Sequence, residues 1–116
     1  MGRMKCPCGS NKVYSQCCGR YIEGHELAPT PEALMRSRYS AFALGQREYL
    51  AKTMLQKIGP LDPSIQWIGL EIKRAEGAIV EFTATYRAAG KIGALHEVSF
   101  FEKKEGHWIY AGRIIE

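Results

Sequence analysis

Apolar residues recur at two different spacings along this chain, and the change of spacing separates a helical part from a strand-rich part. Residues 31–44 place apolar side chains three or four positions apart, which is typical of an amphipathic helix. Thr30 suits the N-cap and Pro31 the first helical position, and Gly45 ends or bends the helix. Residues 46–54 predict a second short helix before Gly-Pro and Asp-Pro dipeptides break helical structure.

The second part alternates apolar and polar residues, as half-buried strands do. Four such runs cover residues 64–75, 78–88, 93–104 and 107–115, and glycine-containing turns between them favour hairpins. The helices need an apolar surface to pack on, and one face of the sheet offers it. The sequence therefore predicts an α+β fold in which two helices pack on a curved, antiparallel four-stranded sheet.

All four cysteines lie near the start of the chain, as Cys6, Cys8, Cys17 and Cys18. Four thiolates can form a closed tetrahedral site for one structural Zn²⁺ that leaves no position for water or substrate. We expect residues 14–16 to form one helical turn that returns the chain to the site, with Gly19 as a helix stop. Two disulfides, a redox-active dithiol and an iron–sulfur cluster remain alternatives.

The cysteine segment and the α+β part are predicted to be separate units. Residues 1–22 form a zinc knuckle outside the α+β core, residues 23–30 a connector, and residues 31–116 the domain itself. With 116 residues, of which 46% are hydrophobic, the chain suffices for one compact core. There is no apolar run of about 18 residues and no apolar stretch at the start, so we expect no membrane span and a cytoplasmic location.

The formal net charge of +4 arises entirely from residues 1–20, because the basic and acidic residues of the remaining chain balance. Four thiolates and one Zn²⁺ would lower the charge of the loaded knuckle to about +2. Such a surface favours an acidic protein, a ribosome or RNA, or anionic lipid as partner, although solvated lysines and arginines without a partner explain it equally well.

The cysteine segment resembles a known motif. The SEC-C motif, Cys-x-Cys-x8-Cys-(His/Cys), is similar to three stretches of this chain: Cys6-Pro-Cys-Gly-Ser, Tyr14 and Cys17-Cys-Gly. The motif forms the end of the chain in the preprotein translocase ATPase SecA. The resemblance implies zinc bound by the four cysteines. It also implies a recognition role, because in SecA the motif contacts the chaperone SecB and lipid, and related tails have been linked to ribosomes.

The rest of the chain resembles the YchJ family, in which a SEC-C motif precedes a nuclear-transport-factor-2-like domain. The similar stretches are residues 30–42, 49–50, 67–70, 80–82, 96–101 and 108–110. The resemblance implies a cystatin-like roll in which helices and a curved sheet enclose a cone-shaped cavity. It implies no particular reaction.

A cone of this kind can hold a small molecule, and dehydratases and isomerases place a base in such a pocket. The polar pocket candidates are Arg38, Tyr39, Glu97, Ser99, Trp108 and Tyr110. Alternatively, Glu97 and Arg38 form a buried ion pair that fixes helix against sheet, or Glu97 faces solvent. The sequence thus supports two hypotheses, a zinc-dependent recognition module on a scaffold and a small-molecule-binding protein or enzyme, and it assigns no catalytic residue.

Overall fold

The computed structural model describes residues 4–114 and contains three helices followed by a four-stranded sheet. The helices are α1 (Gly19–Ile22), α2 (Pro31–Leu44) and α3 (Arg47–Lys52). The strands are β1 (Gln66–Glu76), β2 (Ile79–Ala88), β3 (Lys91–Lys104) and β4 (His107–Arg113), and they form an antiparallel meander in that order. The predicted α+β class, with helices α2 and α3 before this sheet, is confirmed. Residue 115 of the last predicted strand lies outside the described residues.

Helix α2 begins and ends where its sequence signals predict. The Thr30 side chain accepts a hydrogen bond from the backbone N–H of Ala33 at 3.1 Å, which satisfies one of the free donors of the first turn. Pro31 occupies the first turn, where its missing N–H costs nothing. Gly45 ends the helix with φ 71°, a left-handed conformation that glycine adopts without steric cost.

Buried polar side chains fasten α3 to α2. The hydroxyls of Ser37 and Tyr49 lie 2.7 Å apart, and Arg38 donates to the carbonyl of Leu50 at 2.9 Å and to the Thr53 hydroxyl at 2.7 Å. After α3 the chain runs beside β4, where Tyr110 donates its backbone N–H to the Thr53 carbonyl at 2.7 Å. One arginine of α2 therefore holds the helix pair at the edge of the sheet.

The sheet is bent so that one face wraps around α2. Register shifts in β1 between Trp67 and Gly69 and between Ile72 and Arg74, and a third where β3 meets β4, bend the strands. The alternation predicted over residues 78–88 is confirmed in β2, because the alternate residues Val80, Phe82 and Ala84 are all buried. These side chains point towards α2 and form the part of the core that the sheet contributes.

The cysteine segment does not lie outside the core, which corrects the prediction from its position in the sequence. All four cysteines belong to the same buried cluster as α2, α3 and the inner face of the sheet. A segment this short has too few apolar residues for a core of its own, so it shares the core of the larger unit. No helix among residues 4–114 is long and apolar enough to cross a membrane.

Candidate functional site

Two stretches of chain bring the four thiols together. In the first, a small antiparallel bridge pairs Lys5 with Val13, and the N–H of Cys6 donates to the Lys12 carbonyl at 2.9 Å. Gly9 and Asn11 have φ of 83° and 69°, values that glycine and asparagine tolerate better than other residues, and they reverse the chain between the two sides. This reversal points the Cys6 and Cys8 side chains into the core.

The second stretch is helical, as predicted, but it continues where a stop was expected. Residues Tyr14–Gln16 form one 3₁₀ turn, and Cys18 is the N-cap of α1, which begins at Gly19. The prediction of Gly19 as a helix stop is therefore wrong. Glycine is needed there for a different reason, because a Cβ atom would lie 2.7 Å from the Tyr14 carbonyl oxygen. The close approach of these two turns places Cys17 and Cys18 opposite the first pair.

The four sulfur atoms have the spacing of a metal site. All Sγ atoms lie within 4.8 Å of one another, and those of Cys8 and Cys17 are 3.7 Å apart. Four sulfurs at about 2.3 Å from a central zinc would be about 3.8 Å apart in a tetrahedron. The cysteines are free thiols, so the structure does not support the disulfide alternative. The four thiols, all buried, form a cluster that can hold a metal ion.

Three further residues surround the cluster, and the sequence did not single out these contacts. Ser10 Oγ lies 3.2 Å from Cys17 Sγ, and Ser40 Oγ of α2 lies 3.4 Å from Cys6 Sγ. Arg36, also on α2, donates to the Cys8 carbonyl at 3.1 Å. The one signal for the α2 contacts is the spacing of positions 36 and 40, which places them on the same helix face. Both hydroxyls can donate to a thiolate and stabilise its charge.

The pKa values of the thiols in the cluster are shifted in opposite directions. The hydrogen bond with the Cys18 thiol is the main reason why the pKa of Cys8 is lowered. Hydrogen bonds to Cys6 and Cys8 in turn raise the pKa of Cys18, and burial raises the pKa of Cys17. The thiols therefore do not all ionise readily on their own in this enclosed space. A divalent cation that replaces the shared protons removes that conflict.

A second candidate site is a cavity of about 340 Å³ between α2 and the concave face of the sheet. Its apolar wall consists of Met35, Phe42, Met54, Ile58, Trp67, Phe82, Ala84, Leu95 and Phe101. The candidates Arg38, Tyr39, Glu97, Ser99 and Tyr110 all line it. Trp108 does not, and this corrects the prediction. It lies nearer the start of β4, outside the cavity lining, where its indole N–H donates to the Pro29 carbonyl at 3.2 Å.

Arg38 and Glu97 both face this cavity, but they form no direct ion pair among the described residues. Tyr110 lies between them: its ring covers the guanidinium at 4.8 Å, and its hydroxyl donates to Glu97 Oε2 at 3.0 Å. Burial lowers the pKa of Arg38 to about 10. Burial, together with the neighbouring Glu97 carboxylate, raises the pKa of Tyr110 to about 12. Arg38 is therefore charged and Tyr110 protonated at neutral pH.

Comparison with known proteins agrees with this arrangement. The family model described as the middle, nuclear-transport-factor-2-like domain of YchJ matches residues 30–112, and the SEC-C motif model matches residues 5–20. The chain belongs to the YchJ family. Among its YchJ-family relatives, a UPF0225 protein of Streptomyces coelicolor is 47% identical over 113 residues, which cover 91% of each chain. A UPF0225 protein of Deinococcus radiodurans is 43% identical over 110 residues, 90% of this chain and 85% of the relative.

Two solved structures of similar proteins have the same fold as this chain. The solution structure of a SEC-C motif containing protein from Rhodopseudomonas palustris has a TM-score of 0.80 and 31% identity, and the match covers 97% of this chain and 99% of that one. The crystal structure of a SEC-C motif containing protein from Psychrobacter arcticus has a TM-score of 0.75 at 24% identity, covers 99% of this chain and 84% of that one, and supports the fold alone.

Membership of the YchJ family confirms the resemblance and the fold expected from it. The motif also explains why four thiols cluster, because SEC-C cysteines are associated with zinc. The roles of Cys6, Cys8, Cys17 and Cys18 as ligands remain a prediction, supported by their geometry. The roles of the cavity residues are likewise a matter for proposal.

Proposed function

We propose that this YchJ-family chain is a binding protein, built around one structural Zn²⁺, that takes up a small molecule in the cavity between α2 and the sheet. The observation that carries the proposal is the cavity itself, which is lined mainly by apolar side chains and has charged and hydroxyl groups at one end. Apolar pockets of about 300 Å³ or more with a few convergent polar groups are typical small-molecule sites.

The zinc in this proposal is bound by Cys6, Cys8, Cys17 and Cys18, one ion per chain. Four thiolates fill a tetrahedral coordination sphere, so the ion has no open position for substrate and acts structurally. Because all four cysteines lie in the common core, the ion stabilises the whole fold. Structural zinc sites of this type contribute about 10 kcal/mol to folding, more than a segment this short can gain by packing.

Native mass spectrometry of the reduced protein should find one zinc per chain. Cys8→Ser should lose that zinc and lower the melting temperature, because it replaces a fully buried thiolate by a poor zinc ligand. Visible absorbance from an iron–sulfur chromophore, or a metal-free protein that melts at the same temperature as the loaded one, would contradict this part of the proposal.

Cavity binding is tested by filling the cavity. Ala84 is buried and lines the cavity, so Ala84→Phe places a ring in space that is otherwise empty and should leave the fold intact. Ala94→Phe is the matched control, because Ala94 is exposed and does not line the cavity. Fluorescence titration with N-phenyl-1-naphthylamine, an uncharged apolar dye, should show affinity reduced at least about tenfold by Ala84→Phe only. Equal affinity of both variants and the parent protein for the dye would show that the cavity is not the binding site.

A second function, recognition of an acidic partner, is supported by the outer surface of the cysteine segment. Lys5 and Lys12 are exposed on the two neighbouring segments that the small bridge pairs. Residues 1–22 contain no acidic side chain. Arg20 is less available, because it lies 3.9 Å from Glu26 and donates to the Cys17 carbonyl at 3.1 Å. We propose that this two-lysine surface docks on an acidic protein, a ribosome or RNA.

Charge reversal separates specific docking from general attraction. Lys5→Glu combined with Lys12→Glu should abolish co-sedimentation with ribosomes at low salt, while zinc content is unchanged. Lys91→Glu combined with Lys104→Glu changes the net charge equally at exposed sites on β3 and should bind like the parent protein. If both double variants lose binding to the same extent, attraction to the whole chain and not docking of the cysteine segment is responsible.

A further inference from the structure

The polar end of the cavity indicates which chemical class of molecule fits it, and this inference rests on the proposed binding function. Four polar residues meet at this end: Arg38 from α2, Glu97 and Ser99 from β3, and Tyr110 from β4. Arg38 and Ser99 are 6% and 1% exposed, so they were removed from water when the chain folded. Buried polar groups need hydrogen-bond partners, and the partners they already have determine what is left for a ligand.

The hydroxyl donors at this end are used within the protein. Ser99 Oγ donates to Glu97 Oε2 at 2.5 Å, and the Tyr110 hydroxyl donates to the same oxygen at 3.0 Å. Three N–H groups of Arg38 are directed at the Leu50 carbonyl, the Thr53 hydroxyl and the Met54 sulfur. Neither hydroxyl proton is therefore free for a ligand, and the guanidinium has only part of its capacity left.

The free acceptor at this end is the second carboxylate oxygen of Glu97, and two of the five N–H groups of Arg38 remain as free donors. Among residues 4–114, Oε1 has no hydrogen-bond partner, although Oε2 has two. No fully enclosed side-chain oxygen or nitrogen of the described chain lacks a partner, so Oε1 is accessible to solvent, and the Glu97 side chain lines the cavity. A carboxylate oxygen only accepts, so a ligand group that contacts Oε1 has to be a donor.

Charge balance excludes ionic ligands. Arg38 and Glu97 carry opposite charges at the same end of an apolar cavity, so the two charges sum to zero there. Tyr110 lies between the two side chains and contacts both. An ammonium or carboxylate ligand would bring a third charge with no counter-ion into this space, which is costly. A hydroxyl group donates to Glu97 without adding charge, and its oxygen can still accept from an N–H group.

The walls define the body of the ligand. Trp67 contacts Tyr39 and Tyr86 with ring centroids 6.1 and 5.5 Å apart, and Phe42, Phe82 and Phe101 add further rings to the lining. Aromatic faces pack well on flat rings. We propose that the cavity binds an uncharged, ring-containing molecule, of about one or two fused rings, whose hydroxyl group donates a hydrogen bond to Glu97.

Three probes of similar size test this inference by calorimetric titration of the zinc-loaded full chain. They are 2-naphthol, 2-methoxynaphthalene, which lacks the donor, and 2-naphthoate, which is an anion. We expect 2-naphthol to bind at least about tenfold more tightly than the other two, because only it satisfies Oε1 without adding charge. Ala84→Phe should block its binding.

Glu97→Gln provides the second arm of the test. The glutamine oxygen can accept the hydrogen bonds from Ser99 and Tyr110. The NH₂ group then faces the ligand, so a donor replaces the acceptor Oε1. The preference for 2-naphthol over 2-methoxynaphthalene should then fall to within about threefold. Glu102→Gln, at an exposed position of the same strand, should change nothing.

The possible failures are distinguishable. If Ala84→Phe blocks all three probes and the parent protein binds them within about threefold of one another, the cavity is a binding site but the assignment of a hydroxyl-bearing ligand is wrong. Tightest binding of 2-naphthoate would also overturn that assignment and point to Arg38 as the anchor. If none of the probes binds, or if Ala84→Phe does not block the binding that is seen, both the assignment of the ligand and the proposed binding function are wrong.

Discussion

Four thiols enclosed within 4.8 Å of one another are the constraint on which the rest of the structure depends. Such a cluster cannot ionise fully without a cation, and as neutral thiols it gains little from its hydrogen bonds. Because the cysteines share a core with α2 and the sheet, a bound ion would stabilise more than the segment that supplies its ligands. The described residues are therefore better regarded as one core that includes the thiol cluster than as a domain with an attached knuckle.

Helix α2 connects the thiol cluster to the cavity. Its positions 36 and 40 face the cysteine cluster, where Arg36 contacts the Cys8 carbonyl and Ser40 lies beside the Cys6 sulfur. Positions 35, 38, 39 and 42 of the same helix line the cavity. A helix is stiff over fourteen residues, so a shift on one face moves the other. In our account the metal sets the position of the cavity wall, and a ligand that tightens the wall would in turn favour the loaded metal site.

Much of this fold could be predicted from the sequence because local signals determined it. Thr30, Pro31 and Gly45 gave the bounds of α2, and strict alternation gave the inner face of β2. The cysteine spacing predicted that four thiols would meet. In each of these cases the pattern of residues within one short segment carries the signal.

The errors arose where packing between elements, and not the signals within one element, decides the outcome. Gly19 was predicted as a helix stop, but its role is set by the approach of the Tyr14 carbonyl. Trp108 was expected in the cavity, but β4 directs it towards the connector and Pro29. The shared core was missed because nothing in residues 1–22 alone shows that α2 supplies two of the contacts around the thiols. No pattern along the chain indicates that Tyr110 separates Arg38 from Glu97, because the three residues lie on different elements.

The most direct measurement is amide hydrogen exchange, followed by mass spectrometry, on zinc-loaded protein and on reduced protein from which a chelator has removed the metal. If the metal site and the cavity form one unit, removal should accelerate exchange in α2 and in the buried strand β2 as well as in residues 4–22. Faster exchange confined to residues 4–22, with α2 and β2 as protected as in the loaded protein, would contradict the coupling.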